Sequence, residues 1–137
     1  MSKISLFIAI ILFANCNTSK HTSGAPAKLN GSWSPVKEEI GGNTLPAAFQ
    51  SQKLVISDTN YIFTAESVDK GIARYTGDKI DIYGREGVNN GKHFTAIYKL
   101  ENEQLAICYN LSGDAYPESF ETKGKPKYFL AVFKKSS

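Results

Sequence analysis

The 137-residue chain reads as all-β, a small up-and-down antiparallel barrel of eight strands. Three observations predict this. From Leu29 onward, short runs alternate apolar and polar residues with a period of two, and no stretch sustains a helical period. Gly, Asn and Asp separate the runs at close intervals, as hairpin turns require. Seven Tyr, eight Phe and 11 Gly give the composition a β bias. Sequential strands joined by short turns close most simply into an up-and-down barrel, which leaves no exposed edges.

The runs follow in order. Residues 31–36 open the body and contain Trp33. In 52–57, Leu54 and Ile56 share a face. Asp58-Thr59-Asn60 turns into 61–64. After a polar stretch, 71–75 leads through Thr76-Gly77-Asp78 into 79–83, where Ile80 and Ile82 oppose Lys79 and Asp81. Residues 84–91 form a loop, with Asn89-Asn90-Gly91 as its turn signal. The run 92–100 places Phe94, Ala96, Tyr98 and Leu100 on one face. Glu101-Asn102-Glu103 turns into 104–109, whose more apolar face holds Leu105, Ile107 and Tyr109 and so turns Cys108 to the other. A loop with Ser112-Gly113-Asp114 and Tyr116-Pro117 precedes the last run, 128–133, closed by Lys134 and Lys135. The one candidate for a helical turn is 44–50, with Pro46 at its start.

The N-terminus has a different character. After Lys3, Ile4 to Ala14 is apolar apart from Ser5, then Asn15 to Lys20 is polar. The apolar core of about 11 residues is too short to span a bilayer as a helix. It fits the central region of a secretory signal. At its end, Phe13-Ala14-Asn15-Cys16 resembles the lipobox of bacterial lipoproteins, with Phe13 in place of an aliphatic residue and Asn15 in place of Gly, Ala or Ser. That resemblance implies that Cys16 becomes the lipidated first residue of the mature protein. Acyl chains then hold it to a membrane through their buried CH₂ groups. An ordinary cleaved signal and an uncleaved segment are the alternatives. Residues 1–15 are read as the signal peptide, 16–28 as a flexible tether poor in apolar surface, and 29–135 as the barrel domain. Removal of Lys3 with the signal lowers the net charge from +3 to +2. Only one other cysteine exists, Cys108. A disulfide with Cys16 is open to an exported protein; a small hydrophobe packed in a sheet is the simpler reading of Cys108.

Within the body, Leu29-Asn30-Gly31-Ser32-Trp33 resembles the L-x-G-x-W opening of lipocalin-like domains. Lys79-Ile80-Asp81 is similar to a K-x-I-D strand of the same kind. Ile97-Tyr98-Lys99-Leu100 followed by Leu105-Ala106-Ile107-Cys108 resembles I-Y-x-L-x-G-x-x-L-x-I-C, and Pro117-Glu118-Ser119-Phe120 resembles R-P-x-x-F. Together they look like a small bacterial lipocalin-like domain of an uncharacterised conserved-domain family common in exported proteins. The resemblance covers nearly all of 29–135. Two positions depart from it: Tyr116 stands where Arg is usual, and Asn102-Glu103 replaces a Gly-containing turn. The resemblance implies a fold more than an activity. It also implies that Trp33 plugs the closed end of the barrel against a basic side chain near the last strand, Lys134 or Lys135, by a cation–π contact.

Catalytic patterns are weak. His21 and His93 are the two histidines, and no pair of residues has metal-ligand spacing. No phosphate loop or nucleophile elbow occurs. Glu38-Glu39, Asp78/Asp81 and Glu118/Glu121 are carboxylate pairs that solvated edges and turns explain. Lys123, Lys125 and Lys127 form a basic run in a loop. A net charge of +3 is too small to point to nucleic acid. The expectation is a monomeric, non-catalytic, membrane-anchored lipoprotein of the bacterial cell envelope that needs no cofactor or metal. It would bind a small apolar ligand through Tyr61, Phe63, Phe94, Tyr98 and Tyr109 in the barrel, or an envelope protein at its rim. A protein-interaction module, such as an inhibitor of an exported protease, is the alternative. The many large inward residues suggest an interior filled by side chains, with function at the loops.

Overall fold

The structure is a computed structural model that describes residues 24–46 and 51–136. Residues 1–15, Cys16 and most of the tether lie outside the described residues, as do residues 47–50 of the candidate helical turn.

Nine strands follow in chain order: β1 (Gly31–Ile40), β2 (Asn43–Thr44), β3 (Lys53–Ser57), β4 (Asn60–Thr64), β5 (Val68–Thr76), β6 (Lys79–Glu86), β7 (His93–Glu101), β8 (Gln104–Asn110) and β9 (Tyr128–Lys135). From β3 to β9 each strand pairs antiparallel with the next. β1 pairs with both β3 and β9, which closes an eight-stranded up-and-down barrel. β2 is an extra two-residue strand on the free part of β1, with Glu39 opposite Thr44. Thr44 is thus extended, not the first residue of a helical turn: the diglycine Gly41-Gly42, at φ 56° and 85°, reverses the chain and lays it back on β1.

The hairpins show how local sequence sets the register. Between β7 and β8, Asn102 and Glu103 both take positive φ, 51° and 63°. A two-residue hairpin turn of this hand matches the twist of the strands, so the turn forms even without glycine. The strain falls on Glu103, a residue type that seldom enters the left-handed region.

The inward alternation holds on every long strand but β1, where a bulge shifts it by one residue. Leu54, Ile56, Ile80, Ile82, Leu105 and Ile107 are buried in one cluster, and Tyr61, Phe63, Phe94, Tyr98 and Tyr109 pack against it. One end is closed. Trp33 is 2% exposed, and its indole N–H donates to the Leu29 carbonyl at 2.8 Å. The Lys135 ammonium lies 4.4 Å from the ring centroid, so Lys135 is the basic partner of the plug. The chain reaches the barrel at Ala25, whose N–H donates to the Asp58 carbonyl, and Ala27–Leu29 make one 3-10 turn.

A second, smaller core lies outside the barrel wall. Ile97, Ala106, Cys108 and Leu130 are buried there against Tyr116, Phe120, Tyr128 and Val132. The covering segment is the loop between β8 and β9. Buried polar groups fasten it: the Thr95 hydroxyl donates to the Ala115 carbonyl at 2.6 Å, and the Asn110 amide to Asp114 and Ala115 at 2.8 and 2.9 Å. The fully buried Thr122 donates to Glu39 and accepts from the Gly42 N–H. Tyr116 donates to Asp81, and this bond pushes the phenol up to about 12. Cys108 is therefore a packed, free thiol, which burial pushes up to about 11.

Candidate functional site

The barrel interior is not filled. It holds a cavity of about 530 Å³. An expectation based on counting large inward residues fails because small ones share the same face. Gly71 and Ala73 on β5, Ala96 on β7 and Ala131 on β9 all point inward. Of these, Ala73 and Ala131 line the cavity and leave space that branched side chains would occupy. The cavity lies towards the end away from Trp33, where Leu111, Lys92 and Lys127 border it.

Of the residues predicted to bind a ligand, the structure brings Tyr61, Phe63, Phe94 and Tyr109 to the cavity wall. Tyr98 points inward but lies outside the wall, edge-on to Tyr75 at 6.1 Å between ring centroids. Cys16 lies outside the described residues.

Backbone detail sets the position of Tyr61. It pairs with Gly71, and a Cβ on residue 71 would sit 2.7 Å from the Tyr61 hydroxyl. The missing side chain lets the phenol lie across β5. The loop between β6 and β7 folds over the mouth in a similar way: the Gly84 N–H donates to Lys92, and the Gly91 N–H to Gly84, both at 3.0 Å. Asp69, 7% exposed, secures this loop by accepting from the Asn89 backbone and side-chain N–H groups at 3.2 and 3.3 Å.

Sequence reasoning missed Glu38. Beside Glu39 in the sequence it reads as half of a solvated pair. In the structure the two point in opposite directions. Pro35 pairs with Phe133 and Lys37 with Val132, so Val36 is a bulge that shifts the alternation by one residue. Glu38 then pairs with inward-facing Ala131 and lines the cavity at 7% exposure. Burial pushes its carboxyl above the usual range. Glu39 faces out to Thr122 and Lys37, and the Thr122 hydroxyl holds its carboxyl low. Tyr75 and Tyr109 complete the polar groups of the interior. Burial raises both phenols, and Tyr109 is raised further by Tyr75, Tyr61 and Glu38.

The other candidates lie elsewhere. His93 Nε2 is 2.9 Å from Asp81 on the outer wall, with its ring stacked on Tyr83 at 4.7 Å. This network anchors Tyr116 and the covering loop. Glu118 and Glu121 are exposed. Among the described residues no group of three or more His, Cys, Asp or Glu could hold a metal ion, and no helix is long and apolar enough to cross a membrane.

No protein-family model, curated protein or solved structure matches the chain.

Proposed function

We propose that the chain is a non-catalytic, lipid-anchored cell-envelope protein whose lipocalin-like barrel takes up a small, largely apolar ligand. The observation that carries this reading is the interior space of about 530 Å³. It falls within the roughly 300–1,000 Å³ typical of ligand pockets. Its wall is mainly Leu, Ile, Phe and Tyr with few polar groups, the usual composition of such a site. The same volume favours ligand binding over an inhibitor or other interaction module, whose function would lie on the outer surface and leave the core solid. The anchor rests on the apolar run from Ile4 to Ala14 and the lipobox-like Phe13-Ala14-Asn15-Cys16 at its end, and envelope location rests on the anchor.

Fluorescence titration with N-phenyl-1-naphthylamine, an apolar dye uncharged at neutral pH, tests the barrel. The full chain should bind it saturably, and Ala131→Trp, which fills the wall opposite Glu38, should weaken binding by about tenfold or more. Equal binding by the variant, or none by the native chain, contradicts the reading. Mass spectrometry of the protein from its native membrane tests the anchor. A lipidated Cys16 at the N-terminus is expected, and an intact Met1 with unmodified Cys16 overturns it.

A further inference from the structure

Glu38 is out of keeping with an apolar container. Its side chain is more than nine-tenths buried and faces the cavity. Among the described residues no hydrogen bond or ion pair engages its carboxylate. Desolvation alone moves its pKa. Buried carboxylates are normally paired, because water is no longer there to stabilise the charge. Asp69, the other carboxylate on the cavity wall, follows that rule through Asn89. The β1 bulge makes the exception specific: in a regular strand that kept Val36 in the ladder, Lys37 would take the inward position and Glu38 would face outward.

The surroundings suggest what the carboxylate meets. The phenol groups of Tyr61, Tyr75 and Tyr109 line the same space and have no hydrogen-bond partner among the described residues. Their oxygens can accept from a donor group on a ligand, and their ring faces attract a cation. The two basic groups that border the cavity, Lys92 and Lys127, are exposed at its mouth and leave Glu38 unpaired inside.

We propose that the barrel's ligand is an organic ammonium, an apolar body carrying a protonated amine that pairs with Glu38 among the ring faces of Tyr61, Tyr75 and Tyr109. This rests on the reading of the barrel as a ligand container and adds the charge of what it contains.

The test is calorimetric titration of the full chain with three compounds of one shape: 2-(1-naphthyl)ethylamine, 2-(1-naphthyl)ethanol and 1-naphthylacetate. The amine should bind at least about tenfold more tightly than the alcohol, the scale of one charge-assisted contact, and the carboxylate more weakly than either. Glu38→Gln should bring amine and alcohol to equal affinity, with its circular dichroism spectrum and cooperative urea unfolding reporting an intact barrel. Should that variant fail to fold, the ranking in the native chain decides. Equal or tighter binding of the alcohol or the carboxylate by the native chain overturns the proposal, as does an amine preference that survives in a folded Glu38→Gln. If the dye binds but the amine is not preferred, the container reading stands and this one falls. If neither dye nor any of the three compounds binds, both fall.

Discussion

Replacing Trp33 with Phe should cost more than the lost ring area suggests. Trp33 is 2% exposed, and its N–H is the donor that meets the buried Leu29 carbonyl at 2.8 Å. Phenylalanine keeps an aromatic face but leaves that carbonyl without its partner, a loss of about 1–3 kcal/mol. The smaller ring gives up packing as well, and full truncation to Ala should cost about 3–5 kcal/mol. The Lys135 ammonium sits 4.4 Å from the ring centroid at the exposed rim, where a cation–π contact is worth about 0.5–1 kcal/mol. Lys135 also donates to the Asn30 carbonyl at 2.5 Å, so Lys135→Met loses both contacts, and only a double-mutant cycle with Trp33→Phe isolates their coupling. Urea unfolding measures all three variants, read from midpoints at unchanged slope. Because Trp33 is not part of the cavity wall, dye binding should persist in Trp33→Phe under native conditions. A Trp33→Phe variant within about 0.5 kcal/mol of the native chain would refute the assigned role of the indole N–H, since that is the scatter of ordinary surface changes.

Other outcomes follow from the same geometry. Burial holds the Glu38 carboxyl above the usual carboxylate range, so the folded state keeps that proton longer than the unfolded chain does. Stability from this group is present below the unfolded value and declines as pH rises through the folded one. The ligand-free Glu38→Gln variant should therefore gain stability over the native chain as pH rises above the ordinary carboxylate range, measured by thermal unfolding at each pH; a gap that stays constant contradicts this. Asp69, Lys92 and Lys127 border the same cavity and are unchanged in both proteins. Glu103→Gly should stabilise the fold by about 1 kcal/mol in urea, because Glu103 holds φ at 63°, where a side chain is strained. Gly71→Ala should destabilise it by about 1–3 kcal/mol and weaken dye binding, since the new methyl meets the Tyr83 carbonyl at 2.2 Å and the Tyr61 ring at 2.7 Å. The Cys108 thiol, fully buried and pushed up to about 11, should react with a disulfide reagent at pH 8 only as fast as the protein opens; rapid labelling of the folded protein would contradict the covering loop.

The barrel was legible because its long strands alternate cleanly. Ile80 and Ile82, then Phe94, Ala96, Tyr98 and Leu100, face the core where the pattern places them. β2 was not legible: Asn43 and Thr44 are both exposed and form too short a run to show a period. The covering loop could be inferred only indirectly. Cys108 and Ala106 are buried on the face opposite Leu105 and Ile107, and a strand apolar on both faces needs a cover on each. The site was half legible for the same reason. Period-two counting gives Tyr61, Phe63, Phe94 and Tyr109, which reach the cavity wall, but does not separate them from Tyr98, an inward ring that does not, and it leaves out Tyr75. It could not find Glu38, because a bulge inverts the alternation and Val36 bears no local sign of one. The open interior was hidden for a related reason: large residues draw attention, whereas Ala73 and Ala131 set the space.

The most direct test of the central claim is to map dye binding by amide chemical-shift changes on the full chain. Ligand uptake by the barrel predicts shifts concentrated on Tyr61, Gly71, Ala73, Tyr109, Phe129 and Ala131, with little change at Asp81, His93 and Tyr116 on the outer wall. Shifts confined to the outer wall, or spread evenly over the surface, would contradict it.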